Sequence, residues 1–550
     1  MESAPRSAAG VPRWRLVLAA RSDPAPDVRV GKVTRWLLPS LHSWCVLALL
    51  SLLLAGSWRF LADSDTGWHI RTGEWILQTG AAPREDPFSY TMEGRRWFAW
   101  EWLSDVLLAG VHRTWGLEGV VAAAILVLLA TFAALDRLLV RRGTDPFLAL
   151  LLTLFGAGVT VIHWLARPHL LSLLLLLLWA AAVEDYRRRR SRWILLIPLE
   201  MVLWANLHGA FVATFPMLAV YALGETLEFA IRGQARSEEL RRMLGTYALV
   251  ACLSGLATLA TPYGADLYRH IWAYLGDRQL LESIVEFQSP NFHDVEGKAI
   301  EILILLGAVA AVRALGDGRW VEAGLVLLWA HMTLQSKRHA ALAVIVLLPT
   351  IGVYWTEILR DASDRLSGAT GPLGGLWRKL RDRYRNIGDV ERQLPGMVAY
   401  PFALALLLVA ASGRCGDRWL SARFDPKIHP VAAVDFIAQR IPKGHVYAYD
   451  QYGSYLIYRL YPRVKVFADG RSDFYRQGRV LEDMIDLRLV KPTWQHILDR
   501  YDVQWMLLER DEPLALIAQM SGGWKSLYRD DTAEVLVRRD GDGPEPPRSS

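Results

Sequence analysis

The sequence predicts an all-α polytopic membrane domain followed by a small α/β domain outside the cytoplasm. Of the 550 residues, 52% are hydrophobic and only 21% are charged, which is the balance of a membrane protein. The apolar residues fall into blocks of about 15 to 25 residues, long enough for a helix to cross a hydrocarbon layer about 30 Å thick. Beyond Ser412 these blocks stop, and short strand patterns alternate with helical ones.

The apolar blocks predict about eleven transmembrane helices. The first block, 44–62, follows a long basic stretch without a small-residue cleavage site, so we interpret it as an uncleaved first span and not as a signal peptide. The spans are predicted to begin near Ser43, Gly119, Pro146, Pro168, Arg192, Ala210, Met243, Ala299, Trp320, Ala340 and Met397.

The arginines and lysines orient these helices. Five loops on one side hold 22 Lys or Arg residues, and the tail before Trp36 adds 7. This excess is typical of the cytoplasmic side, so we predict a multi-pass protein of the inner (plasma) membrane with a cytoplasmic N-terminus and an outer C-terminal domain. The five basic loops are 137–143, 187–192, 232–242, 313–319 and 360–392.

The segment 100–115 is apolar enough for a short span, but a crossing there would move the basic loop 187–192 to the outside. We therefore predict a helix along the outer interface, which its tryptophans suit. The resulting organisation is a cytoplasmic tail (1–42), a multi-span domain (43–412) with outer loops 57–119 and 262–298 and a cytoplasmic linker 360–394, an extracytoplasmic α/β domain (413–538) and a disordered tail (539–550).

Three apolar segments of the outer domain predict buried strands of a partly parallel sheet, with helices near 454–460 and 494–501 between them. After the second strand comes a polar turn, Asp469-Gly-Arg471-Ser-Asp473, for which we favour a structural role, because such residues are common between a strand and a helix. The predicted strands are 445–450, 465–470 and 503–509.

Charge and cysteine content argue against two classes of function. The net charge of +6 comes from arginine runs between apolar blocks, which is the pattern of topology signals and predicts no nucleic-acid partner. Of the three cysteines, Cys45 and Cys252 lie inside apolar blocks and only Cys415 lies outside them. A disulfide framework or a cysteine-ligated zinc site is therefore not expected.

Asp63 and Asp65 come directly after the first predicted span. Two carboxylates at this spacing, where a helix leaves the membrane, can share a divalent cation such as Mg²⁺ or Mn²⁺, or one of them can act as a base. The motif alone is weak evidence, because long chains contain several such pairs by chance. The alternative interpretation is a solvated helix end.

Four polar clusters fall on the same predicted outer side as the two aspartates. Polar groups at helix ends with almost no connecting loop usually face a water-filled cavity or a ligand. The local alternative is that each side chain reaches the interface or caps a helix end. Four clusters on one face favour a shared site. They are Arg167-Pro-His169, Asn206-Leu-His208, Glu286-Phe-Gln288 and Lys337-Arg338-His339.

These residue types predict a reaction at the membrane surface. Arg167, Lys337 and Arg338 are suited to bind a phosphate, and a carboxylate opposite them can take a proton from a hydroxyl. A phosphate leaving group, a hydroxyl acceptor and a membrane-level site indicate a lipid-linked donor. Glu200 lies inside an apolar span, where it is either functional or paired within the bundle.

Several motifs together resemble a known group. The Asp63-x-Asp65 pair is followed by WHIRTGEWIL (68–77), GAAPREDPFS (80–89) and EWL (101–103), and RPH, ANLHG and SKRH occur at later helix ends. This pattern resembles a widespread, largely uncharacterised group of bacterial membrane proteins that is similar to the GT-C class of glycosyltransferases. That class includes oligosaccharyltransferase catalytic subunits, protein O-mannosyltransferases and the enzymes that add aminoarabinose to lipid A.

The resemblance implies a polyprenyl-phosphate sugar donor, transfer at the outer face of the cell envelope with inversion at the sugar, and an essential acidic residue at Asp65 or Asp63. The acceptor motif of oligosaccharyltransferases and the HPPLGK stretch of mannosyltransferases are absent, which argues against peptide glycosylation and protein mannosylation. Together with the polar clusters, this gives the predicted site residues: Asp63, Asp65 and Glu286 for catalysis and His69, Glu101, Arg167, His169, His208, Lys337, Arg338 and His339 for substrate binding.

Two other functions stay open. A non-catalytic membrane protein that binds or moves a lipid-linked glycan would use the same basic outer pocket. A solute transporter is less favoured, because the carboxylates fall in a loop and not at the bilayer midplane.

Overall fold

The computed structural model describes residues 38–367, 372–394, 396–413 and 419–539. Most of the predicted N-terminal tail, Cys415 and the predicted disordered tail beyond residue 539 lie outside these residues. The described chain forms a bundle of mainly apolar helices followed by a small sheet domain, so the predicted fold class is confirmed at this level.

A helix coincides with each predicted span. Local sequence starts these helices: Asp145, for example, accepts the backbone N–H groups of Phe147 and Leu148 and caps the helix that begins at Pro146. In chain order the helices before the sheet domain are α1 (Leu41–Ala55), α2 (Asp65–Thr79), α3 (Trp102–Arg141), α4 (Pro146–Val159), α5 (His169–Arg189), α6 (Ile197–Leu207), α7 (Thr214–Ile231), α8 (Glu238–Ala257), α9 (Asp266–Gly276), α10 (Arg278–Ser283), α11 (Val295–Gly316), α12 (Trp320–Gln335), α13 (Ala340–Ser367), α14 (Pro372–Gln393) and α15 (Ala399–Ala411).

Within the described residues, 6 helical segments are long and apolar enough to cross a membrane. The helices α1 and α15 are apolar but shorter. A polytopic membrane protein is therefore supported, whereas the figure of about eleven crossings stays a prediction. The six segments are Trp102–Arg141, Pro146–His163, His169–Arg189, Gly209–Ile231, Val295–Gly316 and Lys337–Ser367.

The helix α3 consists of two pieces joined at Gly116, whose φ of 64° favours glycine. The first piece, where an interfacial helix was predicted, packs closely along α2. A Cβ atom added to Gly73 of α2 would lie only 1.9 Å from the carbonyl oxygen of Asp105. Near its other end, His112 Nε2 lies 3.1 Å from the Tyr458 hydroxyl of the sheet domain. Both ends of this piece therefore lie at the end of the bundle that carries the sheet domain.

The opposite end of the bundle contains a buried ion network around Arg187. Its guanidinium lies 2.9 Å from Glu228 Oε1 and 2.9 Å from Glu322 Oε1, and it also pairs with Glu225. A buried guanidinium is tolerated when carboxylates surround it. These residues belong to α5, α7 and α12, so the basic loops that follow α5 and α7 and precede α12 lie together at this end.

The sheet domain begins after residues 414–418, which are outside the described part of the chain. Its elements are α16 (Val431–Gln439), β1 (His445–Tyr447), α17 (Asp450–Leu460), α18 (Ser472–Tyr475), α19 (Val480–Arg488), α20 (Trp494–Arg500), β2 (Val503–Glu509), α21 (Pro513–Met520), β3 (Trp524–Arg529) and β4 (Ala533–Arg538). Among the described residues the strand order is β1-β2-β4-β3. Only β1 and β2 are parallel, which agrees with a partly parallel sheet.

The strand predicted at 465–470 is wrong. Val466 makes an isolated parallel bridge with Ser89 of the first outer loop. Its N–H donates to the Phe88 carbonyl at 3.0 Å, and its carbonyl accepts from the Tyr90 N–H at 3.1 Å. Val466 and Phe467 are fully buried. The Phe467 ring packs against Tyr90 of the first outer loop and against Tyr447 and Tyr501 of the sheet domain. The segment is apolar because it joins the first outer loop to the sheet domain and not because it belongs to the sheet.

The helix α2 lies between α3 and the sheet domain. The approach of α17 is close, since a Cβ on Gly67 would lie 2.6 Å from Tyr458 Cβ. Just before α2, the Ser64 hydroxyl donates to the carbonyl of Gln451 at 2.5 Å. The first outer loop and the C-terminal domain therefore form one packed unit at this end of the bundle.

Candidate active site

Asp65 is the first residue of α2 and is almost buried, with 4% of its surface exposed. Asp63 lies on the preceding turn, and its Oδ1 accepts the backbone N–H of Asp65 at 2.8 Å. This hydrogen bond satisfies one of the amide groups that the first turn of a helix leaves without an intrahelical partner. Asp63 therefore fixes the start of α2, and Asp65 is the buried member of the pair.

Arg167 joins the two aspartates. From the turn between α4 and α5, its Nη1 donates to Asp63 Oδ2 at 2.7 Å, and its Nη2 lies 3.2 Å from Asp65 Oδ2. We predicted that this side chain binds a donor phosphate, but here both terminal nitrogens face carboxylates. Its positive charge holds together two carboxylates that would otherwise repel each other.

The sheet domain completes the surroundings of Asp65. The Ser454 hydroxyl donates to Asp65 Oδ1 at 3.0 Å and accepts the backbone N–H of Gly470 at 3.0 Å. A Cβ on Gly470 would lie only 1.9 Å from the same carboxylate oxygen, so the backbone approaches Asp65 as closely as glycine allows. Sequence reasoning missed Ser454 and Gly470, because they lie in the other domain and carry no spacing relative to Asp65.

The environment of Asp65 changes its acidity. Burial raises the pKa of Asp65, and the negative charge of Asp63 adds to this effect. Arg167 and the Ser454 hydroxyl lower the pKa, and the net value is about 8. A carboxyl group with this pKa binds a proton more strongly than an ordinary aspartate. It can take a proton from a hydroxyl near neutral pH and return it to water.

The surroundings of Asp63 and Asp65 do not fit a divalent cation. All four carboxylate oxygens already face protein donors, namely the Asp65 amide, Arg167 and Ser454. In the part of the chain that the structure describes, no group of three or more His, Cys, Asp or Glu side chains is arranged to hold a metal. A Mg²⁺ or Mn²⁺ ion would have to displace the Arg167 guanidinium.

A second polar row runs beside the aspartates. His69 Nδ1 lies 2.6 Å from Asp105 Oδ1, and its Nε2 lies 3.7 Å from Glu101. Nδ1 therefore shares a hydrogen bond with Asp105, while Nε2 faces Glu101. Burial raises the pKa of Glu101 to about 7, although the charges of Arg167 and Arg338 lower it. Asp105 was missed, and its position one helical turn after Glu101 could have revealed it.

His208 continues this row from the end of α6. Its Nδ1 accepts the backbone N–H of Ala210 at 3.2 Å and lies 2.8 Å from the Ser172 hydroxyl. The proton of the neutral ring is therefore on Nε2, which lies 3.4 Å from Glu101 Oε1. Burial lowers the pKa of His208 well below its usual range, so the ring stays neutral. Glu101 thus lies between the Nε2 atoms of His69 and His208.

Two of the predicted histidines make local contacts. His169 Nε2 donates to the His163 carbonyl at 2.9 Å, and His339 Nδ1 donates to the Met332 carbonyl at 2.9 Å. Both rings satisfy carbonyls at helix ends, which is the local alternative considered for the polar clusters. The His169 ring still lies 6.4 Å from the His208 ring, whereas nothing in these contacts directs His339 toward Asp65.

The second outer loop meets the turn before α13. The Lys337 N–H donates to the Gln288 carbonyl at 3.0 Å, and the Arg338 guanidinium lies 4.9 Å from the centre of the Phe287 ring. Burial alone would raise the pKa of Glu286, but the charges of Arg167 and Arg338 lower it. The charges of both arginines therefore act on Glu286.

The turn at Asp469 has structural contacts. Arg471 is buried, with Nη1 2.8 Å from Asp86 Oδ1 of the first outer loop and Nη2 2.6 Å from Asp469 Oδ2. Its guanidinium also lies 4.3 Å from the centre of the Trp97 ring. These contacts hold the first outer loop against the sheet domain, in agreement with the structural role that we favoured.

A long groove with a volume of about 1310 Å³ leads toward the second polar row. Apolar side chains of α3, α5 and α6 form most of its walls, and Glu200 lies among them. Trp102 and Asn206, joined by a 2.7 Å hydrogen bond, lie at the end near Glu101, and Arg188 lies at the other. The groove is therefore apolar along most of its walls and charged at the end with Arg188, and Trp102 and Asn206 at its other end are close in sequence to Glu101 and His208.

Neither a protein-family model nor a curated protein matches the chain. Among solved structures, the archaeal oligosaccharyltransferase AglB from Archaeoglobus fulgidus, in complex with an inhibitory peptide and a dolichol-phosphate, is similar with a TM-score of 0.50 and 11% identity, over 91% of this chain and 75% of that chain. ArnT from Cupriavidus metallidurans in the apo state gives a TM-score of 0.45 and 14% identity, over 90% of this chain and 97% of that chain. The likeness to the oligosaccharyltransferase confirms the fold that the sequence motifs implied.

Proposed function

We propose that the protein is an integral membrane glycosyltransferase that transfers a sugar from a polyprenyl-phosphate donor to an acceptor hydroxyl on the outer face of the membrane. The observation that carries the proposal is Asp65, a buried carboxyl group with a pKa of about 8 that Arg167 and Ser454 hold in place. A general base is most effective when its pKa lies near the working pH.

In the proposed reaction, Asp65 accepts the proton of the acceptor hydroxyl while the hydroxyl oxygen attacks the anomeric carbon of the sugar. The bond between this carbon and the phosphate oxygen breaks, and polyprenyl phosphate leaves with the bonding electrons. Attack from the face opposite the phosphate inverts the configuration. Asp63 fixes Arg167, and its charge raises the pKa of Asp65.

Arg338 and Lys337 are the proposed phosphate-binding residues. The charge of Arg338 acts on Glu101, His208 and Glu286, which supports a position close to the polar row. Arg167 is less available for the phosphate, because carboxylates occupy its terminal nitrogens. Glu286 would orient Arg338, and a guanidinium that stays free of tight carboxylate pairing is better suited to bind a phosphate.

The remaining polar residues would order the sugar. Glu101 lies between the Nε2 atoms of His69 and His208. The carboxyl oxygens of Glu101 can accept hydrogen bonds from sugar hydroxyl groups, and the protonated Nε2 of His208 can donate one. His169 supports the row through its ring contact with His208.

The apolar groove supports a lipid-linked donor. A polyprenyl chain needs a long hydrophobic surface that continues to the site of its phosphate. The groove of about 1310 Å³ ends at Trp102 and Asn206, next in sequence to Glu101 and close to His208. We propose that the lipid part of the donor lies there.

We propose that Arg167 replaces a divalent cation beside Asp63 and Asp65. The guanidinium supplies positive charge at the place where a metal would bridge the two carboxylates. Turnover should therefore be unchanged when purified protein is dialysed against a chelator. Full loss of turnover that Mg²⁺ or Mn²⁺ restores would contradict this assignment.

The proposed topology has about eleven crossings, a cytoplasmic N-terminus and the sheet domain outside the inner membrane. Two positions support this topology. The basic loops near Arg187 lie at one end of the bundle, and Asp65 and Arg338 lie at the other. The first piece of α3 keeps both ends with the outer elements, which supports an interfacial helix there.

Incubation of purified protein with polyprenyl-phosphate sugars tests the function, with release of polyprenyl phosphate as the readout. Asp65→Asn should abolish release, whereas Asp361→Asn, a matched change of an exposed aspartate at the other end of the bundle, should not. Donor binding by the wild type without any release would instead favour a protein that binds or moves a lipid-linked glycan.

A further inference from the structure

The helix α14 has an apolar stripe that no described part of the chain covers. Leu376, Leu380, Ile387 and Val390 follow one another at helical spacing and lie on one face. Their exposed fractions are 56%, 50%, 50% and 52%. Four large apolar side chains in a row on one helix face mark a contact surface.

The rest of α14 is fixed to the bundle. The Tyr384 hydroxyl donates to Asp145, and the Tyr384 and Phe147 rings are 5.0 Å apart. Glu391 Oε2 accepts the backbone N–H of Leu41 at 2.7 Å. These contacts hold α14 across the first residues of α1 and α4. The apolar stripe therefore faces away from the bundle because of the packing and not because the helix is loose.

Basic residues accompany the stripe. The sequence of α14 contains six Lys or Arg and three Asp or Glu residues. Lys379 and Arg383 are exposed. By helical spacing, Lys379 lies at the border of the apolar face, and Arg383 lies within it beside Leu380 and Ile387. A helix with an apolar face bordered by cationic side chains is typical of segments that lie in the plane of an anionic membrane surface.

The neighbouring helices place α14 at the level of a membrane surface. It follows α13, which is long and apolar enough to cross a membrane, and precedes the apolar helix α15. Its loop is one of the basic loops predicted on the cytoplasmic side. A helix that begins and ends beside two membrane helices, and that lies across the ends of others, is at the depth of the phospholipid headgroups.

We propose that α14 is a binding surface for anionic phospholipids of the cytoplasmic leaflet. Leu376, Leu380, Ile387 and Val390 insert among the acyl chains, and Lys379 and Arg383 lie against the phosphate groups. This assignment is independent of the reaction at Asp65, which lies at the other end of the bundle.

The test uses the full chain with Cys45, Cys252 and Cys415 replaced by alanine or serine. One cysteine is introduced by Leu380→Cys and, in a separate protein, by Asp382→Cys, and each is labelled with a polarity-sensitive fluorophore. Asp382 is the matched control, because it lies on another face of α14 and its side chain is 65% exposed. The proteins are placed in nanodiscs of phosphatidylcholine alone or with phosphatidylglycerol, with quencher-labelled acyl chains.

We expect the label at 380 to be quenched, more strongly when phosphatidylglycerol is present, and the label at 382 to stay in water. The double variant Lys379→Glu, Arg383→Glu should reduce the additional quenching that phosphatidylglycerol causes at 380, because each lost positive charge weakens binding to the anionic surface by about fivefold. Equal exposure to water at 380 and 382 would overturn the proposal. Protection at 380 that does not depend on phosphatidylglycerol would also overturn it, in favour of a protein partner or a neutral surface.

Discussion

The substitution Ser454→Ala tests whether the sheet domain controls the pKa of Asp65. The substitution removes a hydroxyl group that donates to Asp65 Oδ1 at 3.0 Å. A hydrogen bond to a charged group contributes about 1.5–3 kcal/mol, and about 1.4 kcal/mol corresponds to one pKa unit. Because the hydroxyl stabilises the ionised carboxylate, its loss should raise the pKa of Asp65 above its value of about 8, by roughly 1–2 units.

The effect on the rate should depend on pH. If ionised Asp65 is the base, the wild-type rate rises about tenfold per pH unit below the pKa and levels off above it. The curve for Ser454→Ala should have the same shape and lie at higher pH. At pH 7 the variant should then be about 10- to 100-fold slower than the wild type, and at high pH the two rates should converge.

Release of polyprenyl phosphate, measured from mildly acidic to strongly alkaline pH, provides the assay. Ser521→Ala, which changes an exposed serine of the same domain after α21, controls for purification and general folding. If Ser454→Ala lowered the rate by one constant factor at every pH, the reasoning would be refuted. That result would indicate a loss of folded protein and not a displaced pKa.

Three further changes address the same region. Gly470→Ala places a methyl group 1.9 Å from Asp65 Oδ1. Turnover should therefore fall by about 100-fold, while the circular dichroism spectrum stays that of the wild type. Normal turnover would contradict the close approach of the Gly470 backbone to Asp65. Because burial raises the folded pKa of Asp65 to about 8, above an unfolded value of about 3.9, the wild type should lose stability as pH rises from about 4 to 8. The unfolding temperature of Asp65→Asn relative to the wild type should therefore increase over this range, and a constant difference would argue against a raised pKa. Arg471→Met leaves Asp86 and Asp469 buried without their cation, so it should destabilise the sheet domain by about 3–5 kcal/mol in denaturant titration; an effect below about 1 kcal/mol would mean that water reaches this cluster.

The helices could be predicted because their signal is long and local. A block of apolar residues such as the one after Pro146 determines its own helix and needs no information from distant parts of the chain. The break at Gly116 could not be located in this way, since it depends on where α3 meets α2. The segment 465–470 misled the prediction for a related reason. Val466 and Phe467 are buried, but the backbone of Val466 pairs with Ser89 of the first outer loop and not with a strand of the sheet.

The site could be predicted in part. Counting basic residues was enough to assign Asp65, Arg167 and Glu286 to one side, because membrane helices alternate between the two sides. The partners of each residue were harder to predict. The contacts of Arg167 with Asp63 and Asp65 could not be predicted, since a single sequence does not reveal which charges meet. Ser454 was missed because its contact with Asp65 depends on the packing of two domains.

The hydrogen bond between Asp65 and Ser454 joins residues 389 positions apart in the chain. A ribosome therefore completes the first outer loop long before it translates the serine that acts on it. While the chain is being synthesised, the carboxylate has neither its hydroxyl partner nor the glycine backbone of residue 470 beside it. The surroundings of Asp65 become complete only when the last domain has folded, so a nascent or prematurely terminated chain lacks this half of the site.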